Sequence, residues 1–392
     1  MRRLLVYSQD GMGLGHLRRA YNIVAALLSR TPGLRVLIVG DSPAIPYFSA
    51  LPGVDYVKLP TIVKKGSSRW HAGPLGVRVL ELVRLRAKLI LETYEAFRPD
   101  TVLVDHMPVG ALGELKPLLE AVGGRVRRPR LFLGLRDVLD SPAVIRRVWA
   151  EQGAYEYLER YKAVLIYGCR HIYDAATLYG LTEYTKRLYY CNYAAPPAAL
   201  ALAGGLTVGG PLVVMGGGGA DSFPLAETFV AAFPLLRWTG LRAVVLTGPN
   251  MLPPERQALT AKAAGYPIEI TSGWTEATTY VRASSAVLTM GGYNSFCEVL
   301  AAQKKALVVP RPGPSAEQRI RSSLFAERGL VNVLDPNDLE PERLAGELVH
   351  LLEQSGVPAI DEIPPLDGAE RAAALIADGL VPDEIEVLAG CT

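Results

Sequence analysis

Two glycine turns, one near each end of the chain, contain the residues best suited to chemistry. The first, at residues 11–16, reads GMGLGH, and the second, at residues 291–295, reads GGYNS. Each turn follows an apolar run and precedes a helix-like stretch. Glycine lets a ligand approach the backbone closely, and the first N–H groups of a helix can bind an anion. The turns therefore predict two sites, one in each of two halves that face a common cleft.

His16 directly follows the first turn, where its ring would point over the carboxyl edge of a sheet. An imidazole there can take a proton from a hydroxyl group, so we expect His16 to act as a base or contact substrate. The alternative is a histidine that only caps or packs. A catalytic imidazole needs a partner that fixes its tautomer, and Asp105 ends the predicted strand at residues 101–104 on the same edge. His106 beside it and Asp137 at another strand end are alternatives for that role or for substrate contact.

The first turn also partly matches the dinucleotide-binding pattern GxGxxG, which needs an acidic residue at the end of the second strand. Gly11, Gly13 and Asp41 fit that pattern. The third glycine is displaced to Gly15, however, and His16 follows it. A dinucleotide site therefore competes with a substrate-binding turn.

Polar groups follow the second turn where phosphate, ribose and sugar groups could bind. The N–H groups and the Ser295 hydroxyl at the helix start suit a phosphate. Glu298, one turn further along, suits a ribose diol, and Glu317 and Gln318 open a later helix and suit sugar hydroxyls. The glycine run at 216–219 indicates close passage of a diphosphate or of the opposite domain, with a flexible hinge as the alternative. The candidate donor-binding residues are Gly15, Gly217, Gly218, Gly291, Gly292, Asn294, Ser295, Glu298, Glu317 and Gln318.

The pattern that positions these residues is an alternation of short apolar runs with helical stretches, repeated in both halves. Such runs predict parallel strands covered on both faces, so the expected class is α/β with two doubly wound, Rossmann-like domains. The predicted domains are residues 1–195 and 211–365, joined by a Pro- and Gly-containing linker at 196–210. A last helix in 366–392 could pack back on the first domain. An insertion at 61–97 contains Trp70, His71 and a basic amphipathic helix.

Composition places the chain among globular proteins and limits the partners to consider. It has 392 residues, 49% hydrophobic and 20% charged, and four scattered cysteines that predict reduced thiols. Residues 1–195 hold 28 Lys and Arg against 17 Asp and Glu, which suggests an acidic or phosphorylated partner, or simply a solvated basic face. The first apolar run is too short for a signal peptide, and the uncharged stretch 188–220 is broken by Pro and Gly. We expect a cytoplasmic protein, with peripheral contact at the inner membrane surface as an open alternative and no nucleic-acid partner.

Taken together, the motifs resemble those of the GT-B nucleotide-sugar glycosyltransferases. The likeness rests on GLGH at 13–16, the glycine-rich turn at 216–219, GxxSxxE at 292–298, Val309-Pro310 and Glu317-Gln318. It is sharpest from about residue 284 to 329. Within that class the chain is most similar to the family 28 branch, which contains the lipid-linked N-acetylglucosaminyltransferases and uncharacterised bacterial relatives.

The resemblance implies an enzyme that moves a sugar from a nucleoside diphosphate, expected to be UDP, to a hydroxyl of a small-molecule or lipid-linked acceptor. It implies phosphates at residues 291–295, ribose at Glu298, sugar near Glu317 and Gln318, and His16 near the reacting hydroxyl. The sequence contains no DxD motif, so we expect a metal-independent reaction with no cofactor, and His16 as general base leads us to expect an inverting one. The candidate acceptor-binding residues are Arg18, Trp70, His71, His106 and Asp137.

Three rival functions remain open at this point. A nucleotide-sugar 2-epimerase shares the architecture but needs no acceptor. An NAD-dependent oxidoreductase would use the first glycine turn, and a regulator would bind a nucleotide sugar without turning it over.

Overall fold

The computed structural model describes residues 1–378 except 12, 44, 46–47, 49–50, 66–68, 124–127, 197–199, 201–206, 208 and 272–276. The chain divides into two compact units. The first contains Met1–Ala194 and the segment that begins at Pro365, and the second is Ala195–Pro364. Part of the predicted linker at 196–210 lies outside the described residues.

The first unit is built on a seven-stranded sheet whose neighbouring strands are all parallel. Its order is β3-β2-β1-β6-β7-β8-β9. The central strand β1 has side chains at Leu4–Tyr7 that are at most 1% exposed, as expected of a strand covered on both faces. The strands of this unit, including two outside the main sheet, are β1 Arg3–Ser8, β2 Arg35–Gly40, β3 Val54–Lys58, β4 Val63–Lys65, β5 Arg69–His71, β6 Thr101–Asp105, β7 Arg130–Arg136, β8 Ala163–Tyr167 and β9 Leu188–Tyr190.

Helices connect the strands and cover the sheet. Helix α1 buries Leu17, Ile23, Val24 and Leu27, a 3.6-residue period that forms one apolar face. The helices of this part are α1 Gly15–Arg30, α2 Val79–Phe97, α3 Lys116–Gly123, α4 Pro142–Glu151 and α5 Ala175–Leu178, with single-turn 3-10 helices at Gly73–Leu75, Tyr155–Arg160 and Leu181–Glu183.

The insertion between β3 and β6 contains a feature that the sequence interpretation missed. Strands β4 and β5 pair antiparallel as a separate two-stranded ribbon, and Trp70 of this ribbon packs against the buried cluster of Ile62, Ala72 and Leu82. The predicted helix from about residue 76 begins three residues later, at Val79. The ribbon and α2 form one local packing unit.

The second unit contains a six-stranded parallel sheet of order β12-β11-β10-β13-β14-β15. Its core packs the strands against Phe229, Phe233 and Leu348 of the covering helices. The predicted strand at 330–334 is shorter, as β15. The strands are β10 Leu212–Met215, β11 Ala243–Leu246, β12 Ile268–Thr271, β13 Ala286–Thr289, β14 Lys305–Val308 and β15 Asn332–Val333. The helices are α6 Phe223–Leu236, α7 Pro253–Ala263, α8 Ala277–Ala283, α9 Tyr293–Ala301, α10 Glu317–Ala326 and α11 Pro341–Glu353, with 3-10 turns at Arg237–Thr239 and Pro336–Asp338.

After the second unit the chain returns to the first. Helix α12, Gly368–Asp378, packs against α1, and Asn192 Nδ2 donates to Asp367 Oδ1 at 2.7 Å just before it. Gly368 fits here because a Cβ would lie 2.5 Å from the Asn192 carbonyl oxygen.

The α/β class with two doubly wound parallel sheets, predicted from the alternation of strands and helices, is confirmed. In the described part of the chain, no helix has both the length and the apolar character needed to cross a bilayer.

Candidate active site

The structure brings His16 and Asp105 together at the carboxyl edge of the first sheet. Strands β1 and β6 are neighbours, β6 ends at Asp105, and His16 is the second residue of the helix that follows β1. His16 Nδ1 lies 2.6 Å from Asp105 Oδ2. The pairing expected from strand-end positions alone is therefore present in the geometry.

Arg19 completes this cluster, which the sequence interpretation did not foresee. Its Nη2 donates to both oxygens of Asp105 at 2.8 Å, and its Nε donates to Oδ1 at 3.1 Å. The Arg19 side chain is 1% exposed, so it is buried where its neighbour Arg18 is half-buried. The signal was available, because His16 and Arg19 are three residues apart and share a helix face.

The charges of the cluster fix which nitrogen of His16 carries a proton. Burial opposes ionisation of Asp105, but Arg19 and then His16 outweigh it and hold the pKa of the carboxyl below its ordinary value. An ionised carboxylate can only accept, so His16 Nδ1 must donate to it. Arg19 Nη2 approaches the same nitrogen to 2.9 Å, but its protons go to Asp105. The Nε2 nitrogen then carries the lone pair.

His16 is accessible at that second nitrogen. Its side chain is 14% exposed, and within the described residues no group forms a hydrogen bond with Nε2. The His106 ring lies beside it with a centroid separation of 4.5 Å, and its backbone has a φ of 76°. His106 thus packs beside the His16 ring.

The turn before His16 is held by two carboxylates, the half-buried Asp10 and the buried Asp41. Asp10 accepts from the backbone N–H groups of His16 at 2.9 Å and Leu17 at 2.5 Å and so caps α1 from outside the helix. Burial raises the pKa of Asp10, although His16 and these bonds lower it. Gly11 has a φ of 59°, and a Cβ there would lie 2.8 Å from the Ile62 carbonyl oxygen.

Asp41 binds the backbone of this turn and is not available to bind a ribose. It is fully buried, and its Oδ1 accepts from the N–H groups of Asp10 and Gly11 at 2.9 and 3.0 Å. Its Oδ2 accepts from Arg86 Nη1 at 3.0 Å. A dinucleotide site needs an accessible carboxylate at this position, so the geometry disfavours that interpretation.

The remaining candidate acceptor residues differ in exposure. His71 is exposed on β5, while Trp70 and Arg18 are half-buried. Asp137 is 2% exposed, and a Cβ on Gly168 would lie 2.7 Å from its Cβ, so it is closely packed at its strand end. Within this set, His106 is the member that contacts the His16 ring.

The glycine turn of the second unit opens α9 after β13. Gly291 has a φ of 74°, and a Cβ there would lie 2.7 Å from Val308 Cγ1, so the turn requires glycine. Gly292 is the N-cap and Tyr293 the first helical residue, with Asn294 next. The start of a helix presents backbone N–H groups that can bind an anion. Ser295 and Glu298 are 8% and 3% exposed.

Glu317 and Gln318 are both held in place by neighbours. Gln318 Oε1 accepts from the Arg311 backbone N–H at 2.8 Å. This bond fixes the orientation of the side-chain amide, so its NH₂ group is the part that can donate to a ligand. Arg321, which is fully buried, donates from Nη1 to Glu317 Oε1 at 2.8 Å, and Nη1 lies 3.5 Å from the Gly291 carbonyl oxygen. Glu317 and the glycine turn at 291–295 therefore share one buried cation, Arg321, which the sequence interpretation missed.

The glycine run at 216–219 has a structural reason for part of its composition. A Cβ on Gly219 would lie 2.1 Å from the Thr247 carbonyl oxygen, and one on Gly216 would lie 2.0 Å from Ser222 Cβ. Gly217 is exposed and Gly218 half-buried. Gly216 and Gly219 thus allow close packing inside their own unit, and the exposed glycine of the run is Gly217. Just after the run, Asp221 forms an ion pair with Arg311.

Metal-ligand clusters were also sought. Within the ranges that the structure describes, no three His, Cys, Asp or Glu side chains are grouped so that they could hold a metal ion. Cys169, Cys191 and Cys297 are buried free thiols.

Two doubly wound parallel sheets, each with a glycine turn at its carboxyl edge, define the GT-B architecture of nucleotide-sugar glycosyltransferases. Known structures of this class match nearly the whole chain. The glycosyltransferase of kitacinnamycin has 18% identity and a TM-score of 0.61, covering 96% of this chain and 99% of its own. MurG of Acinetobacter baumannii has 13% identity and a TM-score of 0.52, covering 97% and 98%.

More particularly, residues 212–362 match the glycosyltransferase family 28 C-terminal domain. The chain is also 29% identical over 160 residues to the UDP-N-acetylglucosamine–N-acetylmuramyl-(pentapeptide) pyrophosphoryl-undecaprenol N-acetylglucosamine transferase of Paenarthrobacter aurescens strain TC1. That match covers 41% of this chain and 42% of the relative. The prediction of a family-28-like chain with the GT-B fold is thereby confirmed.

Proposed function

We propose that the protein transfers a sugar from a nucleoside-diphosphate sugar to a hydroxyl group of an acceptor. The observation that carries the proposal is the orientation of His16, whose Nδ1 donates to Asp105 at 2.6 Å while Nε2 is left as the accessible base. It occurs in a chain whose second unit matches the family 28 C-terminal domain. A positioned base and a donor-binding domain are the two parts that such a transfer needs.

In the proposed reaction His16 Nε2 takes the proton of the acceptor hydroxyl as its oxygen attacks the anomeric carbon of the sugar. The new C–O bond forms while the bond from that carbon to the diphosphate oxygen breaks. One displacement inverts the anomeric centre. Asp105 stabilises the imidazolium that forms, and the nucleoside diphosphate leaves with the electron pair.

The donor is assigned to the second unit. The N–H groups at the start of α9, after Gly291 and Gly292, would bind the diphosphate and stabilise its charge as it leaves, without a metal ion. Glu298 would accept from the ribose hydroxyls, and Glu317 and Gln318 would bind the sugar. A UDP-sugar is the proposed donor because the curated relative is named for UDP-N-acetylglucosamine.

The acceptor is proposed to be a small molecule or a lipid-linked compound. Leu80, Leu85 and Leu89 of α2 are 60%, 41% and 36% exposed, and Arg84 and Lys88 are exposed on the same helix. Glu81, Glu92 and Glu95 are exposed on this helix too, so its exposed leucines lie among charges of both signs, a composition that suits contact with a membrane surface through the apolar side chains. This surface supports a cytoplasmic protein with peripheral contact at the inner membrane surface.

A donor screen tests the first half of the proposal. A ligand that binds only the native state raises stability by about 2.7 kcal/mol at a hundred times its Kd, so a matching nucleotide sugar should raise the Tm. UDP release should then increase when an acceptor is supplied. His16→Ala should keep donor binding and lose turnover by about 10²- to 10⁴-fold.

The same experiment separates the rivals. Interconversion of the sugar nucleotide without acceptor would indicate an epimerase, and binding of NADH without UDP would indicate an oxidoreductase. Full biological activity in His16→Ala would indicate a regulator that only binds.

A further inference from the structure

Arg86 stands at the centre of a buried network in the first unit. It lies on the inner face of α2 and is fully buried. Its Nη1 donates to Asp41 Oδ2 at 3.0 Å and to the Pro60 carbonyl oxygen at 2.7 Å. Its Nη2 donates to Glu114 Oε1 at 3.0 Å and to the Tyr7 hydroxyl at 3.3 Å. One side chain thus ties the insertion helix to the strand that precedes the first glycine turn.

From Arg86 a continuous path of hydrogen bonds leads to the base. Asp41 receives Arg86 on one oxygen and the N–H groups of Asp10 and Gly11 on the other, at 2.9 and 3.0 Å. Asp10 in turn accepts from the backbone N–H of His16 at 2.9 Å. Two carboxylates and one guanidinium therefore set the backbone position from which His16 projects.

We infer that Arg86 is a positioning residue for His16, acting through Asp41 and the turn at residues 10–11. This inference rests on the proposed role of His16 as the base. Because Arg86 belongs to α2, its hydrogen bonds also hold the insertion helix in a fixed position relative to the turn that precedes His16. An acceptor that engages the exposed face of α2 would then meet a base whose position is already fixed to that helix.

The charges in the network decide how the inference is tested. Arg86 lies between Asp41 and Glu114, both of which are buried, so Arg86→Met alone leaves two carboxylates without their cation and endangers folding. The double variant Arg86→Met with Glu114→Gln removes one positive and one negative charge together. It keeps the bonds from Asp41 to the backbone but removes their anchor on α2.

The full chain is compared as wild type, Glu114→Gln and the double variant, with near-UV circular dichroism as the measure of native packing. Three quantities are measured: the donor Kd, the kcat for UDP release, and the two-bond ¹H–¹⁵N spectrum of labelled histidine, which reports the proton on His16 Nδ1. In the double variant we expect an unchanged donor Kd, a kcat lowered by about 10- to 100-fold, and a shifted or broadened His16 signal. Glu114→Gln keeps the bond from Arg86 to Asp41 and should match wild type in all three.

A folded double variant with wild-type kcat and a wild-type His16 spectrum would overturn the inference, because an Arg86 that only compensates the charge of Glu114 predicts recovery when both are removed together. If the wild type turns over no donor, the proposed function fails on its own, and the His16 spectrum still decides whether Arg86 positions the ring.

Discussion

Replacing Asp105 with asparagine should move the proton of neutral His16 from Nδ1 to Nε2. In the wild type, Oδ1 of Asp105 accepts two bonds from Arg19 and Oδ2 accepts one from Arg19 and one from His16. Asparagine has one oxygen and one NH₂ group. The asparagine oxygen should take the position of Oδ1, where two Arg19 bonds end. The NH₂ group then takes the position of Oδ2 and donates to His16 Nδ1, which becomes an acceptor.

The preference for this orientation follows from the bonds that the other orientation would lose. Turning the amide over would point NH₂ at the two Arg19 donors and forfeit at least one bond to a charged group, worth about 1.5–3 kcal/mol. That difference corresponds to a population ratio of roughly 10 to 150. With its proton on Nε2, the ring cannot accept from an acceptor hydroxyl, so kcat should fall by about 10²- to 10⁴-fold.

The two-bond ¹H–¹⁵N spectrum of histidine-labelled protein measures the tautomer directly, without any acceptor. The chain has five histidines, and His16→Gln assigns the signal of interest. Asp174→Asn is the matched control, because Asp174 also accepts from an arginine, Arg170, at 3.1 Å but lies outside the His16 cluster. An Asp105→Asn protein whose His16 still carries its proton on Nδ1 would refute the assignment of the base.

Further predictions concern stability and donor binding. The lowered pKa of Asp105 means that its contribution is complete above the unfolded-chain pKa of about 3.9 and is lost as pH falls through the folded-state pKa. The free energy of unfolding in urea should differ between wild type and Asp105→Asn by about 3–5 kcal/mol at neutral pH. This difference should become smaller in acid, and a difference that does not change with pH would contradict the prediction. Gly219→Ala should cost about 1–3 kcal/mol more than Gly217→Ala, because both have positive φ but only Gly219 meets a backbone oxygen at 2.1 Å; equal urea midpoints would disprove the packing argument. Arg321→Met should raise the calorimetric Kd of the UDP-sugar about tenfold or more, since it releases Glu317, and an equal loss of affinity for UDP alone would argue against a role at the sugar.

The sequence predicted those features that depend on local pattern. Alternating apolar runs and helical stretches were enough for two parallel sheets, and the rule that parallel strands end at one edge was enough to pair His16 with Asp105. The same rule places Asp137 at that edge, but it does not say how far a strand-end side chain is exposed. The exposure depends on the packing around it, here beside Gly168, which follows β8.

Other features depend on contacts between distant segments. The three-residue spacing places Arg19, and not Arg18, on the helix face of His16, but it does not show that Arg19 is buried on Asp105 while Arg18 is half-buried. The same limit applies to the glycine run, where Gly219 is needed because the carbonyl oxygen of Thr247, just after β11, lies close to it. A run of glycines indicates close approach, but it does not say whether a ligand or the protein itself approaches.

The return of α12 to the first unit has a consequence for synthesis on the ribosome. The apolar face of α1, the helix that carries His16, is covered by α12, whose Ala369, Ala372 and Ile376 are fully buried. These residues are translated only after the whole second unit has been made. A nascent chain that stops before residue 365 therefore has α1 without α12. The first unit cannot be completed until the second unit has been synthesised.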